Sequence, residues 1–286
     1  MAARGRTRVA IQGERGAFSH RAALDLVGPD IELVTTLDFD ALFATLANGG
    51  ADKALVPIEN TLHGSIHENY DRLRSSTFHV VAEMRLRIRQ CLIAMPGATL
   101  GGLRRVASHP VALAQCRRFF AEHPELEATA AADTAGSVSE MMRAGDPSRG
   151  AIASRLAAEL YGGVLISEGI EDDLENHTRF LLLGTEPEPA VGVSKTSLVF
   201  TLKNEPGVLH RALGAFAGRG LDLTKIESRP LRGRPFEYAF YLDLVAAPDQ
   251  TSDEALAELR RLSTELRVLG TYPEGLRAGT QETNGG

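Results

Sequence analysis

The chain has 286 residues, 43% of them hydrophobic and 24% charged, with 31 basic against 37 acidic side chains for a formal net charge of -6. That make-up suits a globular protein with room for one large core or two or three smaller ones, and it carries no basic excess of the kind a nucleic-acid surface needs. No run approaches the roughly 18 apolar residues of a membrane span. The basic start Met1-Ala2-Ala3-Arg4-Gly5-Arg6-Thr7-Arg8 leads into no signal-peptide core, so a cytoplasmic protein is expected. Cys91 and Cys116, without CxxC or metal spacing, are expected as buried free thiols.

Residues 8–12 read as a strand that Gly13-Glu14-Arg15-Gly16-Ala17-Phe18-Ser19 turns into a helix running to Val27. Two glycines let the backbone approach a ligand, and Ser19 lies near a helix N-terminus, where free N–H groups favour anions. The GxxG spacing is not the GxGxxG of a dinucleotide site. A strand over 31–35, a helix over 38–47 and a strand over 53–57 continue the alternation of a doubly wound parallel sheet. That last strand ends in the polar run Glu59-Asn60-Thr61, in which Glu59 is an acid at the carboxyl end of a buried strand and Asn60 and Thr61 can cap or bind. His63 and His67 are four apart, but Gly64-Ser65 place the helix start after His63, which takes the rings off a common face and argues against a metal.

Residues 78–94 are strand-like, with Arg85, Arg87 and Arg89 alternating as on a solvated edge or a crossing between lobes. Residues 105–108 form a short strand, and His109-Pro110 opens a helix with Ser108 as its cap and Gln115 about two turns in. Asp133-Thr134-Ala135-Gly136-Ser137 starts another helix; 150–154, 155–161 and 164–167 read as strand, helix and strand. An acidic loop over 170–175 then delivers the chain to Asn176-His177-Thr178-Arg179-Phe180 and the apolar run Leu181-Leu182-Leu183. A hydroxyl, a guanidinium and an aromatic ring thus stand at the mouth of a buried strand, where open α/β sheets place their ligands. Ser19, Asn60 with Thr61, Ser108 and Thr134 recur at strand-to-helix junctions. Several helix N-termini converging on one cleft would hold a dianion without a basic surface.

The proline-rich stretch Thr185-Glu186-Pro187-Glu188-Pro189-Ala190-Val191-Gly192 marks a linker over 185–194. Beyond it, 195–274 reads as a compact βαββαβ unit of ferredoxin-like type. Its strands are expected near 196–203, 221–228, 236–244 and 266–272, with one helix opened by Pro206 and another by a capping box of Thr251 and Glu254. The tail over 275–286 is expected to be disordered.

Read together, these stretches resemble prephenate dehydratase and the closely similar arogenate dehydratase. The first loop, the Pro57-Ile58-Glu59-Asn60 run with Gly64-Ser65, the Ser108-His109-Pro110 to Ala114-Gln115-Cys116 segment and the triplet Thr178-Arg179-Phe180 carry the match. The resemblance implies a catalytic domain over 8–184 of two α/β lobes, similar to type 2 periplasmic-binding folds, and a C-terminal ACT domain. It implies decarboxylation and dehydration of prephenate to phenylpyruvate on the route to phenylalanine, without cofactor or metal. Thr178 would donate to the departing hydroxyl, with Arg179 and Glu59 as further catalytic groups. Ser19, Asn60, Ser108, Gln115, Thr134 and Phe180 would form the substrate-binding set, Phe180 by packing. Phenylalanine would bind through Gly207, Val208 and Leu209, shaped by Glu227, Ser228, Arg229 and Pro230, at a homodimer or homotetramer interface of ACT domains. Gly207-Val208-Leu209 departs from the family's usual Gly-Ala-Leu-Val run. Arogenate as substrate and a non-enzymatic amino-acid sensor are the rival readings.

Overall fold

The computed structural model describes residues 5–190, 194–231 and 233–277. These pack as two compact units, one of residues 5–69 with 84–180 and one of residues 70–83 with 181–276.

The first unit has two lobes. The first lobe is built on the strand Thr7–Gln12, in which Val9, Ala10 and Ile11 are all buried. Consecutive apolar residues fill both faces of a strand that has covered neighbours on each side. The strand pairs parallel with Ile31–Thr36 and with Lys53–Asn60, as the alternation predicts. The start of His177–Gly184 lies beyond Lys53–Asn60 in the same sheet, followed by the end of His79–Arg87. Helices Phe18–Val27 and Phe39–Ala47 return the chain between the parallel strands, and Asp38 caps the second by accepting from the Ala41 N–H.

The second lobe is a five-stranded sheet in the order Val164–Glu168, Cys91–Ala94, Arg149–Ala153, Arg105–Ser108, Glu127–Ala130. Its first two pairings are antiparallel and its last two parallel. Neighbouring side chains alternate between faces, so Ile93 packs with Val138, Ala151 and Ala157 while Leu92 packs with Val106, Phe119 and Ile152. The chain passes from the first lobe to the second before Cys91 and returns before His177, which gives the expected two-lobed α/β architecture.

Three local expectations are corrected. The strand-like run over 78–94 is two strands, His79–Arg87 and Cys91–Ala94, belonging to different sheets. His109, not Ser108, caps the helix Pro110–Ala114, and the helix ends there, so Gln115 is its C-cap. In the second unit Asp249 and Ser252, not Thr251 and Glu254, form the capping box of Gln250–Leu262, because Thr251 already lies inside the helix.

The second unit is a four-stranded sheet ordered Asp222–Pro230, Tyr238–Ala246, Ser194–Leu202, Ser263–Pro273, with antiparallel neighbours throughout. This is the ferredoxin-like order, and helices Val208–Ala217 and Gln250–Leu262 close its core around Leu198, Phe200, Phe216 and Leu259. Residues 70–83 belong to this unit through polar contacts. The ammonium of Lys195 meets the carboxylate of Glu83 at 2.5 Å with only 1% and 2% of their side chains exposed. Tyr241 donates to the Tyr70 carbonyl at 3.0 Å, and Arg229 pairs with Asp71 at 2.9 Å. The residues at 185–190 carry no helix or strand, and Leu276–Arg277 form a short strand. The rest of the expected linker, at 191–193, and of the expected tail, at 278–286, lies outside the described residues.

Candidate active site

The carboxyl ends of Lys53–Asn60 and the start of His177–Gly184 lie side by side, joined by Thr61 N–H donating to the His177 carbonyl at 2.9 Å. Their side chains alternate, so Asn60, Thr178 and Phe180 face a cavity of about 390 Å³ within the first unit. Asn60 is the hub. Its Nδ2 donates to Asn176 Oδ1 at 2.8 Å, to the His177 carbonyl at 3.1 Å and to Thr178 Oγ1 at 3.1 Å. Its Oδ1 accepts the N–H groups of Leu62 and His63, both at 3.0 Å. Every polar atom of that carboxamide is therefore committed, and the side chain has one orientation.

The opposite wall comes from the second lobe. Gln115 and Thr134 line it, and Ser19 joins from the first helix. Two helices of full length, Phe18–Val27 and Thr134–Ala144, begin at the cavity; the first has no side-chain cap, whereas Asp133 caps the second by accepting the Gly136 N–H at 2.6 Å. The loop before the first is held by His20, whose Nδ1 accepts the Gly16 N–H at 3.0 Å; burial lowers the pKa of this imidazole and favours the neutral acceptor. The titratable side chains lining the cavity are His63, His109 and Asp133, and among the described residues no lysine or arginine lines it. Beneath this lobe, burial pushes the Cys91 and Cys116 thiols up to about 11 and about 12, so both are inert free thiols packed in the core.

Three expected site residues lie elsewhere. Glu59 and Arg179 point to the other side of their strands, where with Thr61, Arg85 and His177 they line a separate cavity of about 220 Å³. The reason is the period of two: each directly adjoins a cleft residue and so faces away from it. Ser108 is fully buried and donates to the Ile152 carbonyl at 2.6 Å, a bond across the second lobe's sheet. His63, Gln90 and His109 line the cavity but were not expected there from sequence. Asn176 is fully buried and joins the site only through its bond to Asn60, distant in sequence.

In the second unit a cavity of about 230 Å³ is lined by Gly207, Val208 and Leu209 together with Phe236 and Tyr238. Gly207 is left-handed, at φ 76°, and is the N-cap of Val208–Ala217. Glu227, Ser228, Arg229 and Pro230 do not line this cavity; they lie on Asp222–Pro230, the edge strand of the sheet. Glu227 pairs there with Lys225 at 3.2 Å.

Residues 9–188 match the prephenate dehydratase family, and residues 196–261 match the ACT domain. The chain is 44% identical over 280 residues to arogenate dehydratase/prephenate dehydratase 2, chloroplastic, of Arabidopsis thaliana, spanning 94% of this chain and 73% of that one. Among solved structures it superposes on a prephenate dehydratase of Arthrobacter aurescens in complex with L-Phe, with a TM-score of 0.84, 30% identity and coverage of 94% and 90%. It also superposes on GqqA, described as a novel type of quorum quenching acylase, with a TM-score of 0.85, 32% identity and coverage of 93% and 98%. The expectation of a cytoplasmic protein is corrected by the first of these, a chloroplastic relative. Composition and the first few residues carry no information on compartment.

Proposed function

Because this chain belongs to the prephenate dehydratase family, we propose that its cleft removes carbon dioxide and water from prephenate to give phenylpyruvate, on the route to L-phenylalanine. Membership in the family makes the chain a hydro-lyase. The step balances as prephenate dianion plus one proton giving phenylpyruvate, carbon dioxide and water. The ring carboxylate's electron pair enters the ring as carbon dioxide departs, and the hydroxyl leaves with a proton. Aromatisation supplies the driving force, so the protein has to orient the dianion and deliver that proton.

The observation that carries this reading is the bond from Asn60 Nδ2 to Thr178 Oγ1 at 3.1 Å. A hydroxyl that accepts from Asn60 keeps its single hydrogen for another partner, and Thr178 faces the cleft. Thr178 is thereby set as a donor to the departing oxygen, while Asn60 polarises it. The uncapped N-terminus of Phe18–Val27 and the polar groups of Ser19, Gln115 and Thr134 hold the carboxylates without a cationic side chain. In this arrangement Glu59 and Arg179 act behind the catalytic strand ends, and Ser108 supports the wall, none of them touching the substrate. Incubating the protein with prephenate and following the ultraviolet absorbance of phenylpyruvate tests the assignment.

A second reading, arogenate converted directly to phenylalanine, is favoured by the relative of Arabidopsis thaliana, which carries both activities in its name. The two substrates differ only in a keto or an amino group on the side chain, and rates on each decide between them. We further propose that L-phenylalanine regulates the enzyme through the cavity at Gly207, Val208 and Leu209. Among the described residues the edge strand Asp222–Pro230 pairs on one side only, and on the other a second copy's ACT unit would pair and bring Glu227 to Pro230 toward the effector. The L-Phe-bound relative supports an effector of this kind.

A further inference from the structure

We propose that His63 is a positioning residue of the cleft that acts through Gln115, an inference that rests on the reaction proposed above. His63 sits in the loop between Lys53–Asn60 and the helix His67–Ser75, and its backbone N–H donates to Asn60 Oδ1 at 3.0 Å. The carboxamide that orients Thr178 therefore also places His63. The residue is exposed and lines the cavity, so its ring stands at the mouth.

From there the imidazole reaches across to the other lobe, with Nε2 at 3.1 Å from Gln115 Nε2. Two nitrogens at that distance need one hydrogen and one lone pair between them. The carboxamide nitrogen of Gln115 has only hydrogens to give, because Gln115 Oε1 accepts from Gln90 Nε2 at 3.0 Å and so fixes which end faces His63. With the carboxamide in that orientation, His63 Nε2 is the acceptor of this bond. Gln90 is itself anchored: it is 2% exposed and its backbone N–H donates to Glu171 at 2.8 Å.

The bonds thus run in one direction, from Gln90 to Gln115 to His63, from one lobe to the other. Gln115 spends one amide hydrogen on His63 and has the second for a substrate oxygen in the cleft. Remove the imidazole and the carboxamide keeps one anchor and gains rotational freedom. His63 touches no reacting atom in this scheme; it sets the angle at which Gln115 meets the substrate.

The test is a double-mutant cycle on prephenate and arogenate with wild type, His63→Ala, His63→Gln, Gln115→Ala and His63→Ala/Gln115→Ala, each with its thermal midpoint. His63→Ala is expected to raise KM about five- to tenfold, the worth of one hydrogen bond, with kcat within about twofold. His63→Gln, which supplies a carbonyl acceptor at the same place, restores most of the loss. The double variant is no worse than Gln115→Ala alone. A wild-type KM for His63→Ala, multiplied losses in the double variant, or no rescue by glutamine each overturns the proposal. Wild type inactive on both substrates overturns the reaction itself and this role with it.

Discussion

Asn60 and Thr178, distant in sequence, meet at 3.1 Å with the carboxamide as donor and the hydroxyl as acceptor. The direction of that bond matters more than its length. Asn60→Asp keeps the shape but replaces the donor by a carboxylate that can only accept, so the Thr178 hydrogen turns back toward residue 60. A kcat lower by at least about tenfold, with a smaller change in KM, is the expected result. Steady-state kinetics showing a full kcat would remove the orienting role of Asn60.

Gly207 adopts a left-handed backbone, which a side chain at that position resists by about 1–2 kcal/mol. Gly207→Ala should therefore weaken L-phenylalanine binding about fivefold or more, measured by titration calorimetry on the full chain. Unchanged affinity would place the effector elsewhere.

Lys195 and Glu83 form an almost completely buried ion pair at 2.5 Å. Lys195→Met leaves the buried carboxylate without its ammonium, with the Gly275 N–H still donating to it, and should cost about 3–5 kcal/mol of stability, whereas Lys195→Met with Glu83→Leu should recover most of it. Chemical denaturation of the two variants distinguishes these outcomes. Equal stabilities would mean that the pair is not isolated from solvent.

Much of the site was legible because polar residues at strand ends are costly without a purpose. Asn60, Thr134, Ser19 and Thr178 stood out in this way, Phe180 as the ring beside Thr178 and Arg179, and Gln115 through the family resemblance, and all six line one cavity. Glu59 and Arg179 neighbour Asn60 and Thr178, so strand alternation turns them to the opposite side and into another cavity. The Ser108 hydroxyl is satisfied by the Ile152 carbonyl, a partner that only the sheet register reveals. His63 and Gln90 act through tertiary contacts with no local signature. The strand Glu127–Ala130 was missed because all four residues are exposed at a sheet edge, so no burial pattern marks it.

The account's centre is the hydroxyl of Thr178, and the most direct measurement is turnover of prephenate and arogenate by Thr178→Ala beside wild type. General-acid assistance is worth about 10² to 10⁴ in rate, so a loss of at least about tenfold in kcat is expected, with the thermal midpoint unchanged and Thr178→Ser retaining more activity than alanine. Near-wild-type conversion by a folded Thr178→Ala would contradict the account.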